Sequence, residues 1–578
     1  MSRNCGGMIM LAVIAFLVCL INSGESVEYK IVKTKNGAVR GISDTTMMKN
    51  VSFYSFKGIP YAKAPIGELR FKAPEPVKSW APAILNATAH GSNCFGRPIF
   101  AAINPPQSEN CLFLNVYVPA DVQPDEKLAV LVYIHGGSFL GGSGDDDIYG
   151  PDFIIEKRAI LVTLNYRLGI LGLITFNTQE YSGNMALKDQ QLALKWVNEN
   201  IGRFSGDPKR VTLFGESAGS TSTHYHLLSS KSRRYFRNEI AMSGTVENIG
   251  SLSDGNALLK FAYTIASELD SPQESLDSLI AFFKTVPAEK IIKFVNDPSY
   301  RGDNPVTIFS PIIEKSDAIR PFITENPDKI YKNPYISTDI MFSVCSLEIL
   351  SFYLTGLLQT LYPLEQLDRN FSIPFPFKNT TLQYDSPKYT ELAAEVREFY
   401  FKDAAINEQS LIQYLKLFSD ILFTYGIDKA AKLHATKLFA KSYYFQFSVD
   451  SKLNVQKRAA SIGKNLTIAG AVHGDDVCYI FGCRYFRSFY NEVFSTPDDE
   501  QSKVSLKTID NMATLFTNFA KYGKPIQYGK PIKGFSPVQM NRVNFLDFTN
   551  DGLILGLDPN GEAIKFWTRI GEKLHENN

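Results

Sequence analysis

The chain holds 578 residues, 44% hydrophobic and 21% charged, with 60 Lys and Arg against 59 Asp and Glu. This is the usage of a soluble globular protein with a large core, and it excludes a disordered, collagen-like or coiled-coil chain. A formal net charge of +1 gives no electrostatic reason for nucleic acid or an acidic membrane surface to be the main partner.

At the N-terminus, Met1-Ser-Arg3 precedes an apolar run, Met8–Ile21, followed by the small residues Gly24 and Ser26. That is the layout of a cleaved secretory leader, with cleavage expected after Ser26. The run falls short of the roughly 20 apolar residues that cross a bilayer. The other long apolar stretch, Ile340–Tyr362, carries Glu348 near its middle; a central carboxylate is costly in lipid, so the stretch belongs in a protein core. The C-terminal residues Lys573–Asn578 offer neither a hydrophobic tail nor an ER-retention signal, and the mature protein is expected to be secreted without a membrane anchor. Five Asn-x-Ser/Thr sequons, at Asn50, Asn86, Asn370, Asn379 and Asn465, agree with that route, since acceptor sites must lie on the surface. Asn370 and Asn379 mark the segment Pro363–Pro387 as an exposed loop.

Glu28–Lys33 and Ala38–Gly41 flank Lys35-Asn36-Gly37, a hairpin signal, and Leu112–Val118 follows with strand-type residues. Leu128–Ile134 and Ala159–Leu164 are nearly continuous apolar runs, as in strands buried on both faces of a parallel sheet. From Met185 to Ile201, the apolar Leu192, Trp196, Val197 and Ile201 recur at helical spacing, with Lys188, Asp189, Lys195 and Glu199 on the other face. Arg210–Phe214 reads as a further buried strand and Ala218–Leu228 as a further helix. This alternation predicts an α/β fold with a large, mostly parallel central sheet covered by helices on both faces. Gly255–Tyr362, broken by Pro287, Pro311, Pro321, Pro327 and Pro334 among others, reads mostly as a helical covering region. There is no internal repeat and no linker, so one domain, 27–578, is expected behind the leader, 1–26.

Between the Arg210–Phe214 strand and the helix from Ala218 lies Gly215-Glu216-Ser217-Ala218-Gly219, a G-x-S-x-G pattern. Composition alone would produce the pattern in roughly one chain in five of this length, so its setting decides. A strand feeding directly into a helix through this pentapeptide is a nucleophile elbow, which stands the Ser217 hydroxyl at the sheet edge. The helix N-terminus favours negative charge developing there. A serine hydroxyl is a poor nucleophile unaided, so a base and an acid are required elsewhere.

At these residues the chain resembles the type-B carboxylesterase/cholinesterase family of α/β-hydrolases. The resemblance runs from about Val27 to the C-terminal end. It is dense in Asp207–Gly219, Asn165-Tyr166-Arg167-Leu168-Gly169, Tyr54–Ala62 and Glu109–Tyr117. It implies an α/β-hydrolase fold and a Ser-Glu-His triad. Of the seven His, His90, His434 and His575 lie in unremarkable surface-like or helical contexts, and His224 and His226 follow Ser217 on its own helix. His135 opens a strand-end glycine loop. His473, in Gly470-Ala-Val-His473-Gly-Asp-Asp476, matches the family's catalytic-His loop; a lone loop His is otherwise ordinarily solvated. Glu348 aligns with the family's Ser-x-Glu-Gly segment, with Ile349 where Gly is usual. Hydrogen bonding to His473 would give this carboxylate, set in an apolar segment, the partner it needs. His135-Gly136-Gly137-Ser138 resembles the family's oxyanion loop, which assigns the amides of Gly137, Ser138 and Ala218 to the oxyanion hole; Ser138 replaces the third Gly. Asp145–Asp147 reads as a solvated turn rather than a metal site.

The resemblance also pairs Cys94 with Cys111, and Arg70 with Glu109 and Arg167 with Asp189 as buried ion pairs. Cys345, Cys478 and Cys483 are either buried thiols or include a Cys478–Cys483 pair. The expected function is a secreted carboxylic-ester hydrolase acting through an acyl-enzyme on small neutral esters, with no metal or organic cofactor. The alternatives are a catalytically inactive cholinesterase-like adhesion protein and a more specialised esterase. Choline recognition uses a Trp in the first disulfide loop, and residues 94–111 contain none. The juvenile-hormone branch usually has Gln where Glu216 stands.

Overall fold

The computed structural model describes residues 28–98, 106–296, 309–378, 383–464, 468–527 and 530–575. The leader expected at 1–26 and the sequons at Asn379 and Asn465 lie outside the described residues. The apolar runs form the centre of a sheet of thirteen strands. These are β1 (Tyr29–Thr34), β2 (Gly37–Thr45), β3 (Ser52–Pro60), β4 (Ile84–Asn86), β5 (Phe113–Pro119), β6 (Leu128–Ile134), β7 (Ile160–Leu164), β8 (Gly206–Glu216), β9 (Asn238–Met242), β10 (Asp339–Cys345), β11 (Ser442–Phe447), β12 (Asn544–Thr549) and β13 (Gly552–Leu557). Their spatial order is β1-β2-β3-β5-β7-β6-β8-β9-β10-β11-β12-β13, with β4 beside β2. Pairing is parallel from β7 to β12 and antiparallel at both flanks.

Every residue of β6 and β7 is buried, as a strand covered on both faces requires. The alternation of β6 divides two cores. Val130, Val132 and Ile134 face one with Leu187, Leu194 and Val197 of α1 (Met185–Asn200) and Tyr225 of α2 (Ala218–Leu228). Leu131 and Tyr133 face the other. β8 begins four residues before the expected Arg210 because polar Asp207 and Arg210, paired at 2.8 Å, mask a strand end that is only partly buried.

Over the sheet lie α3 (Gly255–Glu268), α4 (Leu276–Thr285), α5 (Ala288–Asn296), the short α6 (Leu350–Leu354), α7 (Pro387–Phe401), α8 (Leu411–Ser419), α9 (Tyr425–His434), α10 (Glu500–Tyr522) and α11 (Gly561–His575). Ile509, Met512 and Phe516 of α10 pack in the second core with Leu131. α7, α8 and α11 build a third around Leu392, Phe418 and Trp567. The region read as mostly helical also supplies β10, a central strand; a short apolar run has no periodicity that separates strand from buried helix. Pro363–Pro387 departs further from its reading as an exposed loop. It opens with a helix, Leu364–Arg369, and buries Ile373 and Phe375. Asn370 itself is exposed, as are Asn50 and Asn86.

Two further readings are corrected. Asp145–Asp147 is no solvated turn: Asp146 pairs with Lys57 of β3 at 2.6 Å and with His90 Nε2 at 2.7 Å, and Asp145 lies 3.2 Å from His90 Nδ1. Burial pulls His90 down, but its two carboxylates outweigh burial and hold it above the ordinary value. His434, likewise read as unremarkable, is fully buried on α9, bonded to the Thr338 carbonyl at 2.9 Å, and burial pushes its pKa down to about 3.

The two expected ion pairs are present. Arg70 grips Glu109 and donates to the Phe283 and Val286 carbonyls at the end of α4. Arg167 donates to both oxygens of the fully buried Asp189 at 2.7 and 2.6 Å. Removing one partner of such a pair leaves a buried charge uncompensated. Asp189→Ala is therefore expected to lower the unfolding free energy by about 3–5 kcal/mol, read from urea-denaturation midpoints, with Asp189→Asn less damaging because an acceptor survives.

Candidate active site

β6 and β8 are neighbours, with Ile134 opposite Gly215, so the segments leaving their carboxyl ends meet beyond the sheet, where open α/β sheets bind ligands. Ser217 stands between β8 and α2 at φ 58°, ψ −125°, a conformation that costs a non-Gly residue about 1–3 kcal/mol. The turn closes only without side chains on either flank. A Cβ on Gly215 would lie 2.5 Å from the Gly219 backbone, and one on Gly219 would overlap the Ile134 carbonyl. The Ser217 amide donates to the Met242 carbonyl at 2.8 Å, which ties the elbow to β9.

The loop after β6 turns through Gly137, Ser138 and Phe139, all at positive φ, and the Leu140 amide returns to the Gly137 carbonyl at 2.8 Å. His135 braces this loop. Its Nδ1 donates to the Gly136 carbonyl at 2.8 Å, its ring stacks on Tyr166 at 4.4 Å, and burial pushes its pKa down to about 4.

Glu348 and His473 come from the loops after β10 and β11. The Leu347 amide donates to the Ala471 carbonyl and the His473 amide to the Glu348 carbonyl, at 2.9 and 3.1 Å, so the two loops are stitched together. His473 Nδ1 donates to Glu348 Oε2 at 2.7 Å. The other carboxylate oxygen accepts from Ser243 Oγ at 2.6 Å and from the Cys345 amide at 2.7 Å. Glu348 is fully buried.

His473 Nε2 lies 3.1 Å from Glu216 Oε1. Among the described residues, Glu216 Oε1 and both oxygens of the buried Asp476 have no hydrogen-bond partner, and burial pushes both carboxyls up. Burial pulls His473 down, but the charge of Glu216, the hydrogen bond to Glu348 and the charge of Asp476 together bring it up to about 9. An ionised Glu216 favours the charged imidazole, and a neutral one does not.

Two aromatic rings cover the imidazole, Phe352 of α6 at 5.5 Å and Phe423 at 4.6 Å. Phe423 belongs to a single π-helical turn, Asp420–Thr424, between α8 and α9. Sequence reasoning missed the Glu216 contact, although Glu216 adjoins Ser217; nothing local to Ser243, Phe352 or Phe423 pointed to His473. Cys94 pairs with Cys111 and Cys478 with Cys483, leaving Cys345 a free buried thiol. Among the described residues no group of His, Cys, Asp and Glu is arranged to hold a metal ion, and no helix is long and apolar enough to cross a membrane.

The model of the carboxylesterase family matches residues 28–567. Esterase B1 of Culex pipiens is 31% identical over 94% of this chain and 98% of its own length. Juvenile hormone esterase of Tribolium castaneum is 32% identical over 86% and 84%. The crystal structure of juvenile hormone esterase from Manduca sexta, with OTFP covalently attached, superimposes with a TM-score of 0.81 at 27% identity, covering 94% of this chain and all of that one. An α/β-hydrolase sheet carrying a serine elbow, matched by a family model along nearly its whole length, identifies the chain as a carboxylesterase, a member of the carboxylesterase family.

Proposed function

We propose that this esterase works through Ser217 as nucleophile, His473 as base and Glu348 as acid, with the amides of Gly137, Ser138 and Ala218 receiving the oxyanion. The observation that carries this reading is the 2.7 Å bond from His473 Nδ1 to a fully buried Glu348, at the same sheet edge as the Ser217 elbow. That bond fixes the tautomer whose Nε2 lone pair takes the Ser217 proton as the hydroxyl attacks the ester carbonyl. The oxyanion gathers amide hydrogens at the α2 N-terminus and the Gly137–Ser138 turn. His473 then returns the proton to the departing alkoxide, and water, deprotonated by the same imidazole, releases the acid.

A substrate class of small neutral esters is supported by the Phe352 and Phe423 rings at His473 and by the near-zero net charge. Choline esters are disfavoured because the first disulfide loop, residues 94–111, contains no Trp. Glu216 disfavours juvenile hormone, and the presence of all three proposed triad residues disfavours an inactive adhesion protein. Export is supported by the leader pattern, two disulfides and the exposed Asn50, Asn86 and Asn370.

An activated aryl ester is expected to give a burst of one alcohol per chain, and an organophosphate to inactivate irreversibly. Ser217→Ala should lower kcat by roughly 10⁴- to 10⁶-fold; a folded enzyme whose ester hydrolysis survives that change has another nucleophile. Because ionised Glu216 raises His473 and a base must be deprotonated, Glu216→Gln is expected to move the acid limb of the kcat/KM profile down by about one pH unit. For export, the secreted protein denatured without reductant should titrate one thiol, Cys345; a retained leader would add Cys5 and Cys19.

A further inference from the structure

The π-helical turn Asp420–Thr424 is an irregular element packed directly on the site. Widening a helix by one residue takes carbonyls out of the regular ladder. Here the carbonyls of Leu422 and Phe423 accept from Asn248 Nδ2, at 3.0 and 2.8 Å. Asn248 is itself fixed by the Thr245 amide and hydroxyl, both 2.8 Å from its Oδ1. Just before the turn, Ser419 Oγ accepts from the amide of Ile349, the residue after Glu348, at 3.3 Å. The turn thus touches both the Glu348 loop and, through Phe423, the His473 ring.

Asp420 opens the turn, 6% exposed. Its Oδ2 accepts from Tyr400 of α7 at 2.7 Å, and the Tyr400 oxygen accepts from Trp567 Nε1 of α11 at 2.8 Å. Burial pushes the carboxyl up to about 7, against the opposing hydrogen bonds of Tyr400 and Thr424 and the charge of Lys416; Tyr444 of β11 also senses it. A buried carboxylate costs more than an apolar side chain of similar size. What it supplies is a hydrogen-bonded tie from two separate helices to one turn.

We propose that Asp420 is a positioning residue for His473: with Tyr400 and Trp567 it locks the π-turn in the register that lays Phe423 on the imidazole. Without the tie, the turn relaxes to α-helical register, rotating each following residue by about 100°. Phe423 then leaves the ring, water enters, and the imidazolium formed during acylation loses an aromatic face. This rests on the reading of His473 as base.

The test compares wild type, Asp420→Leu, Asp420→Asn, Phe423→Leu and the Asp420→Leu/Phe423→Leu double variant. Readouts are kcat, KM and the kcat/KM pH profile on a neutral aryl ester, with the proton NMR resonance of the His473 ring N–H, identified by its loss in His473→Gln. Asp420→Leu and Phe423→Leu should each lower kcat about ten-fold with KM within about two-fold, shift the acid limb alike, and move the ring resonance alike. Asp420→Asn keeps an acceptor for Tyr400 and should stay within about two-fold of wild type. The double variant should be no worse than Phe423→Leu. Additive losses in the double variant, or an Asn as damaging as Leu, would overturn the proposal. Should Asp420→Leu fail to fold, Tyr400→Phe removes the donor at constant volume and must act in the same direction. The ring resonance needs no turnover, so a protein that hydrolyses no ester sinks the reading of His473 as base, whereas a resonance unmoved in Asp420→Leu sinks the positioning role by itself.

Discussion

Three carboxyl groups buried around one imidazole set the terms for this molecule. Glu348 is the member whose two oxygens are both satisfied, by His473, Ser243 and the Cys345 amide. Glu216 and Asp476 are buried beside it, with oxygens that no described residue bonds. Such groups are tolerated when a positive charge or a proton compensates them, and His473 Nε2 lies 3.1 Å from Glu216. The cluster therefore keeps the histidine, the elbow and the loops after β10 and β11 in one electrostatic unit.

Holding that unit together falls to the scaffold. β6 and β8 deliver the Gly137–Ser138 turn and Ser217 side by side because they are hydrogen-bonded neighbours. β10 and β11, also neighbours, deliver Glu348 and His473. The Arg167–Asp189 pair ties the segment after β7 to α1, and Arg70 ties Glu109 to the end of α4. The stiffness of the site is thus a property of strand adjacency, with the buried ion pairs bracing the covering loops.

Much of this was legible in the residues. The unbroken apolar runs of β6 and β7 announced a parallel core, and Ala218–Leu228 was bounded to the residue because a glycine elbow starts it. What escaped has a common cause, a partner far along the chain. His90 and Asp146 look solvated until Lys57 and the sheet edge fold over them. His434 looks helical and unremarkable until the Thr338 carbonyl covers it. The buried stretch at Ile373 and Phe375 hides among prolines. Ser243, Phe352 and Phe423 reach the site from elements whose local patterns carry no chemistry, so only the assembled fold reveals them.

The order of the chain also fixes when the site can be assembled. Ser217 is synthesised first, Glu348 131 residues later, His473 a further 125, and the β12–β13 hairpin that flanks β11 after that. At translation rates of about 5–20 residues per second, roughly 10–50 s separate the appearance of Ser217 from that of His473. Through that interval the segment of the elbow has no loops after β10 and β11 to pack against. On the proposed reading, a chain that ends before His473 carries the nucleophile without its base.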